Sequence, residues 1–400
     1  MTGLAETIAT LQRLKDAAMT PAPTSTGRFE ETPGFGDNPG QLKMFSYMPE
    51  GLTPDAPLVV VLHGCGQHAE AHAVSAGWVT LADRCGFAVL APEQSSQNNL
   101  NHCFNWFLQE DTVRGGGEVA SIAAMTTHMI AEHRLDPKRV FITGLSAGGG
   151  MTAAMLACYP ELFAGGAVIA GLPYGVAHNV SGALSAMHRA DDRSSADLGR
   201  LVRDAAPRAG RMPRLAIWHG DADWTVDASN GLKLAQQWAS AQGLPDGPNE
   251  TIEGDGFTRS IWRSSDAKEA AVEFNLVHGL GHGTPLATTG PDGVGTPAPY
   301  MLEAGVSSTL EAARFWGLVS PQAATEGHAS PPKARSVHAK SVRPSGALTK
   351  PPLSAILPRG AALPAKDALG KQVLGSIEKV VTPETARVIA KALKTAGLLK

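Results

Sequence analysis

A serine between two glycines is the candidate nucleophile: residues 144–148 read Gly-Leu-Ser-Ala-Gly, with Ser146 at the centre. A serine hydroxyl attacks a carbonyl carbon well only when a turn exposes it and a base takes its proton. The pattern follows a strand-like segment and precedes a helix rich in Ala and Met, which favours a nucleophile elbow. A phosphate-binding glycine turn is the alternative, but the turn has neither a Walker lysine nor the dinucleotide spacing. The sequence predicts no cofactor and no metal ion.

An acid and a base are expected later in the chain, in the order serine, acid, histidine. The segment 218–226 offers Asp221 and Asp223 at the end of a strand. We favour Asp223, because the valine that resumes packing lies three residues further on, and Asp221 then braces the turn. The loop after the last strand offers His278 and His282. We favour His282, because its flanking glycines allow the loop to reach the elbow.

Two backbone N–H groups must face the negative charge that develops on the carbonyl oxygen. The residue after the nucleophile, Ala147, supplies one of them. The turn at 63–66, after the first long apolar strand, supplies the other, and we expect it from Cys65. Cys65 could also be read as a catalytic thiol, but no elbow surrounds it.

Apolar runs alternate with helical segments through the middle of the chain. This alternation predicts a mostly parallel sheet with helices on both faces. The predicted strands are 42–47, 57–62, 87–91, 139–143, 166–170 and 214–218, and the predicted helices are 78–85, 119–133, 149–158 and 232–241.

The chain divides into segments of different character. The predicted segments are an N-terminal extension at 1–40, a catalytic domain at 41–319 with a helical cap insertion at 175–212, a disordered Pro/Ala-rich linker at 320–365, and a basic amphipathic helical tail at 366–400. The net charge of −3 indicates no nucleic-acid or membrane partner. However, residues 321–400 carry 13 Lys and Arg against 4 Asp and Glu, whereas the remainder carries 21 against 33. The acidic body and the basic tail therefore suggest different roles.

The N-terminus lacks the basic start, apolar core and cleavage site of a secretory signal, and no apolar run is long enough to span a membrane. A cytoplasmic location is the expectation on this basis, with export left open.

Seven motifs in order resemble the polyhydroxybutyrate depolymerase family of esterases, over about residues 40–318. They begin at His63, Pro92, Cys103, Gly144, Gly171, His219 and Gly281. The resemblance implies an α/β-hydrolase fold and hydrolysis of a hydrophobic carboxylic ester through an acyl-serine, with short-chain polyhydroxyalkanoate or its oligomers as substrate. Feruloyl or acetyl esters on polysaccharide are the alternative.

The resemblance also bears on individual residues. It supports Ser146, Asp223 and His282 by motif position, and it implies a disulfide between Cys65 and Cys103. Many members of the family are exported, which makes an extracellular location the alternative.

Two further expectations concern binding. Trp106 and Trp224 flank the site in sequence and form either an aromatic floor for the ester or ordinary core. The apolar stripes and positive charge of the tail give a hypothesis of another class: a protein that contacts a polymer granule or another surface through residues 366–400. A solvated extension is the alternative that we prefer.

Overall fold

The computed structural model of the protein describes residues 28–205, 212–264, 269–290 and 292–319. Most of the predicted N-terminal extension, part of the predicted cap, the linker and the tail lie outside these ranges. Ten of the described strands form one sheet. In chain order they are β1 Glu30–Glu31, β2 Lys43–Tyr47, β3 Leu58–Leu62, β4 Ala88–Glu93, β5 Val140–Leu145, β6 Gly165–Ile169, β7 Arg214–Gly220, β8 Glu250–Glu253, β9 Phe257–Trp262 and β10 Val272–Val277.

The strand order in this sheet is β1-β2-β4-β3-β5-β6-β7-β10-β9-β8. The six strands from β4 to β10 in that order are parallel, and antiparallel strands lie at both edges. A small separate sheet pairs β11 (Thr284–Leu286) with β12 (Met301–Glu303). The mostly parallel sheet predicted from the strand–helix alternation is therefore confirmed.

Helices connect the strands. They are α1 Ala69–Ser75, α2 Trp78–Cys85, α3 Gln109–Thr112, α4 Gly117–His133, α5 Ala147–Cys158, α6 Val180–His188, α7 Ser195–Ala205, α8 Ser229–Ala241 and α9 Ser308–Phe315, with a 3₁₀ turn at Pro160–Leu162. Among the described residues, no helix combines the length and apolar character that a membrane crossing would require.

The apolar run in β3 shows how the sheet divides the core. Its five side chains are fully buried, and they alternate between the two faces because successive strand residues point to opposite sides. Val60 belongs to the core beneath α4, α5 and α8. Val59 and Val61 belong to the core beneath α1, α2 and α9. Burial of one such side chain contributes about 1.5–3 kcal/mol, so β3 anchors the turn that follows it.

The structure contains several elements that the sequence does not predict, and two of them show the reason. Helix α1, directly after the turn at 63–67, was missed because seven residues are too few to show a helical period. The antiparallel β8–β9 pair was also missed. All four residues of β8 are exposed, so this strand lacks the apolar alternation by which a half-buried strand is recognised.

The predicted cap at 175–212 contains two helices with different neighbours. Ala183 and Ala186 of α6 pack in the cluster that includes Ala147, beside the candidate nucleophile. Helix α7 instead packs against α8, so closely that a Cβ on Gly199 would lie 2.6 Å from Ser240 Oγ. The prediction of one cap over the sheet's carboxyl edge is therefore too simple for the described residues, because α7 lies in the helical layer beside α8.

Candidate active site

Ser146 lies on the sharp turn between β5 and α5. Its backbone has φ 56° and ψ −115°, a conformation that residues other than glycine rarely adopt. The turn is tight: a Cβ at Gly144 would lie 2.3 Å from Gly148 O, and one at Gly148 would lie 2.5 Å from Leu62 O. Only glycine fits at these two positions. The elbow geometry expected for Ser146 is thus present.

The predicted nucleophile, base and acid lie in one hydrogen-bonded row. Ser146 Oγ is 2.9 Å from His282 Nε2, and His282 Nδ1 is 2.7 Å from Asp223 Oδ2. The three residues come from the turn after β5, the loop after β10 and the loop after β7. Because β5, β7 and β10 are parallel, these loops all leave the carboxyl edge of the sheet.

Asp223 is buried and strongly hydrogen-bonded. Its Oδ1 accepts from the N–H groups of Thr225 and Val226, and its Oδ2 lies 3.3 Å from His219 Nε2. Burial alone would raise the pKa of Asp223, but the hydrogen bonds from His219 and His282 outweigh burial and hold it well below its usual value. Asp223 therefore stays a carboxylate beside His282.

The alternative acid and base, Asp221 and His278, pair with each other away from Ser146. Asp221 Oδ2 is 3.2 Å from His278 Nδ1, and its Oδ1 accepts from Gly279 N–H at 2.7 Å. On its other side, His278 Nε2 lies 3.0 Å from Thr258 Oγ1. This exposed pair joins the loop after β7 to the loop that carries His282, as a bracing residue would.

The turn at 63–67 lies beside the elbow. A disulfide joins Cys65 to Cys103, and the Gly66 N–H donates to Asn101 O at 2.7 Å. The Gly64 N–H donates to Gln67 Oε1 at 2.8 Å. In the described part of the chain, the N–H groups of Cys65 and Ala147 have no hydrogen-bond acceptor. Both remain available to an oxygen atom of a ligand.

The two tryptophans differ in exposure. Trp106 is only 9% exposed and packs in the cluster with Ala147 and Leu172. Trp224 is 90% exposed, although it directly follows Asp223. Trp224 is therefore not a core residue.

Three buried side chains near the site had no assigned role in the sequence analysis. They are His219, which contacts Asp223, and Gln94 and Glu118, which support the disulfide loop. Glu118 Oε1 accepts from Gln94 Nε2 at 2.5 Å, and its Oε2 accepts from Asn105 N–H at 2.8 Å. His219 begins one of the seven motifs and Gln94 ends the motif Pro92-Glu93-Gln94, so these motifs were the signal in the sequence that could have indicated them.

Burial, followed by repulsion from Asp111, raises the pKa of Glu118 to about 8. This buried carboxyl group is therefore an ionisable part of the support of the disulfide loop.

The parallel sheet, the elbow after β5 and the serine–histidine–carboxylate row define the class of protein as a serine hydrolase with the α/β-hydrolase fold. The family model for esterase PHB depolymerase matches residues 42–259, so the chain belongs to this family. The match includes Ser146 and Asp223 and ends before His282.

Relatives with curated names agree with this class. The chain is 41% identical over 287 residues to poly(3-hydroxyalkanoate) depolymerase C of Paucimonas lemoignei, an alignment that covers 71% of this chain and 69% of the relative. It is 31% identical over 260 residues to feruloyl esterase B of Talaromyces stipitatus, with 63% and 71% covered. The chain is an enzyme that hydrolyses carboxylic esters.

A solved structure shows the same fold. Acetyl xylan esterase from Aspergillus awamori superimposes with a TM-score of 0.61 at 24% identity, covering 73% of this chain and 99% of that one. At this identity the likeness concerns the fold alone.

Proposed function

We propose that the enzyme cleaves the ester bonds of short-chain polyhydroxyalkanoate, or of its oligomers, with Ser146 as nucleophile. The observation that carries the proposal is the unbroken row from Ser146 Oγ through His282 to Asp223, with contacts of 2.9 and 2.7 Å. Such a row activates a serine for acyl transfer.

In the first half-reaction, Ser146 Oγ attacks the ester carbonyl carbon while His282 Nε2 takes the hydroxyl proton. The carbonyl oxygen becomes an oxyanion, which the N–H groups of Cys65 and Ala147 stabilise. The bond to the leaving alcohol then breaks, and His282 gives that alcohol its proton. The acyl group remains on Ser146 as an ester.

In the second half-reaction, water attacks the acyl-serine and gives a proton to His282. The bond from the acyl carbon to Ser146 Oγ breaks, the serine recovers its proton from His282, and the hydroxy acid leaves. Asp223 accepts a hydrogen bond from His282 Nδ1 throughout. It thereby holds the imidazole in the tautomer whose Nε2 accepts the proton and stabilises the imidazolium form.

The substrate class is supported by the named activity of the 41% identical relative. The exposed indole of Trp224, next to Asp223, suits contact with an apolar ester chain. A feruloyl or acetyl ester of a polysaccharide is the second candidate, because the chain is also 31% identical to a feruloyl esterase.

The Cys65–Cys103 disulfide supports an oxidising location outside the cytoplasm, where such bridges persist. We therefore propose the extracellular alternative for the enzyme.

The nucleophile is tested with p-nitrophenyl butyrate. We expect Ser146→Ala to lower kcat by at least about a thousandfold, by comparison with other serine triads. The matched control is Ser96→Ala, because Ser96 is exposed on a loop, and it should match the wild type. An active Ser146→Ala variant would refute the proposed nucleophile.

The substrate is tested by comparing kcat/KM for hydroxybutyrate oligomers and methyl ferulate, and by the release of hydroxybutyrate from solid polymer. We expect the oligomers to be the better soluble substrate. Faster turnover of methyl ferulate, without release from the polymer, would favour the second candidate.

A further inference from the structure

Gln67 closes the turn that carries the Cys65 N–H. Its side-chain Oε1 accepts from the Gly64 N–H at 2.8 Å and lies 3.1 Å from His72 Nδ1. The two contacts converge on one oxygen atom.

The main chain determines the orientation of this amide. A backbone N–H can only donate, so the group of Gln67 that faces Gly64 must be the oxygen atom. The same oxygen can only accept from His72, whose Nδ1 must therefore carry the hydrogen. The amide Nε2 lies 3.4 Å from Pro299 O, so the Gln67 amide donor is directed to a backbone carbonyl group.

His72 is suited to this fixed role. It lies on α1 and is 4% exposed. Burial, assisted by the nearby His63, lowers the pKa of His72 to about 3, so the ring is neutral at ordinary pH. A neutral ring with its hydrogen on Nδ1 donates a hydrogen bond to Gln67 Oε1 at ordinary pH.

The turn is restrained at three successive residues. Gly64 is held by Gln67, Cys65 by the disulfide to Cys103, and Gly66 by Asn101 O. Between the two engaged N–H groups of Gly64 and Gly66, that of Cys65 has no acceptor among the described residues. Because adjacent peptide planes share a Cα atom, fixing the flanking groups limits the direction of the Cys65 N–H.

We propose that Gln67, oriented by His72, is a positioning residue for the oxyanion-binding turn: it holds the Gly64 N–H and so directs the Cys65 N–H at the developing oxyanion. The proposal rests on the function proposed above. It adds two residues that do not touch the reacting atoms and act through the turn.

Two variants of His72 provide the sharpest test. His72→Phe keeps the ring but removes the donor, and His72→Asn places an amide N–H near the position of Nδ1. With p-nitrophenyl butyrate we expect His72→Phe to lower kcat about ten- to hundredfold with little change in KM, because misplaced catalytic groups cost about that much. His72→Asn should recover most of the lost rate.

Gln67→Leu removes the acceptor at nearly constant size and should lose a similar factor in kcat. The control is Gln97→Ala, since Gln97 is exposed and no contact of its side chain is present among the described residues. Circular dichroism and thermal unfolding establish whether each variant folds. If Gln67→Leu does not fold, the His72 pair decides the question.

A transition-state mimic separates positioning from a general loss of structure. A short alkyl trifluoromethyl ketone adds to the active serine as a tetrahedral oxyanion. Its inhibition constant should weaken in His72→Phe by the same factor as kcat/KM. An unchanged inhibition constant, or wild-type kcat in His72→Phe, would overturn the positioning role.

Ser146→Ala separates the two proposals. An inactive Ser146→Ala beside a fully active His72→Phe rejects the positioning role alone. An active Ser146→Ala rejects the proposed nucleophile itself.

Discussion

Asp223 and Asp221 are two residues apart, yet they face different histidines. Asp223 contacts His282 and His219 in the interior, whereas Asp221 contacts His278 at the surface. A buried carboxylate that fixes one imidazole tautomer is suited to catalysis, and an exposed pair between loops is suited to bracing. The difference gives a clear expectation for the two carboxamide variants.

Asp223→Asn should lower kcat about ten-thousandfold, because an amide at this position favours the wrong tautomer of His282. Asp221→Asn is the matched control and should stay within about tenfold of the wild type, since its partner does not contact Ser146. The measurement is kcat for p-nitrophenyl butyrate, with circular dichroism to establish folding. The opposite ranking of the two variants would make Asp221 the catalytic acid.

The structural elements around the disulfide loop depend on buried polar groups as much as on apolar packing. Glu118 lies in the first turn of α4 and accepts from Asn105 N–H and from Gln94, which in turn donates to Cys103 O. The end of one helix thereby supports the loop that is bonded to the turn at 63–67. This arrangement links the stability of the loop to pH.

Stability should fall as pH rises across the titration of Glu118. The pKa of Glu118 is about 8 in the folded protein and 4.5 in the absence of the fold, so the folded state binds this proton more tightly. Protonation of Glu118 therefore contributes fully to the free energy of unfolding below about pH 4.5. This contribution decreases by up to about 1.4 kcal/mol per pH unit and is lost as pH approaches 8. Urea unfolding between pH 5 and 9 measures it.

Glu118→Gln removes this titration and should flatten the pH dependence of the free energy of unfolding. Glu132→Gln, on the exposed side of the same helix, is the control and should retain the wild-type slope. If the free energy of unfolding changed equally with pH in the wild type and in both variants, Glu118 would not be the cause of the pH dependence.

The disulfide itself should stabilise the fold. It closes a segment with a sequence separation of 38 residues, and loss of such a link costs about 2–4 kcal/mol in free energy of unfolding. We expect this loss for Cys103→Ser by urea unfolding. Cys85→Ser, at a free and half-buried cysteine, should cost less. A Cys103→Ser variant as stable as the wild type would contradict the expected contribution.

The secondary-structure elements could largely be predicted. The fully buried strands produce uninterrupted apolar runs, and helix α2 has the bounds that the sequence predicts, because Gly86 ends it in the left-handed conformation. Helix α1 and the β8–β9 pair could not be predicted. The first is too short to show a period, and the second lies on a sheet edge where few apolar residues are required.

At the scale of the whole molecule, the described residues contain the complete candidate site, from Cys65 to His282. Every group in the proposed mechanism therefore lies outside the basic segment 366–400 in sequence. Its positive charge and apolar stripes remain the basis of the surface-binding hypothesis.

Removal of residues 366–400 should leave kcat for p-nitrophenyl butyrate within about twofold, because every group in the proposed mechanism precedes residue 283. If the tail binds surfaces, the full chain should pellet with polymer granules or anionic vesicles more than the truncated chain. Equal pelleting of the two chains would end the surface-binding hypothesis.

Local patterns in the sequence were sufficient to predict the elbow at Ser146 and the parallel sheet, and the triad order typical of this architecture then indicated where to expect an acid and a base. These features depend on residues close together in sequence: apolar runs, glycines at a turn and the ends of strands. The resemblance in seven motifs was sufficient for the family.

The sequence favours Asp223 and His282, but only the tertiary structure brings these two residues, and not Asp221 and His278, into line with Ser146. The contacting residues are 136 and 59 positions apart and meet only once three parallel strands are aligned. Local spacing does not determine which of two carboxylates on one turn points inward. The same reason applies to the contact of His72 with Gln67, because the direction of a side chain is fixed by the packing around it.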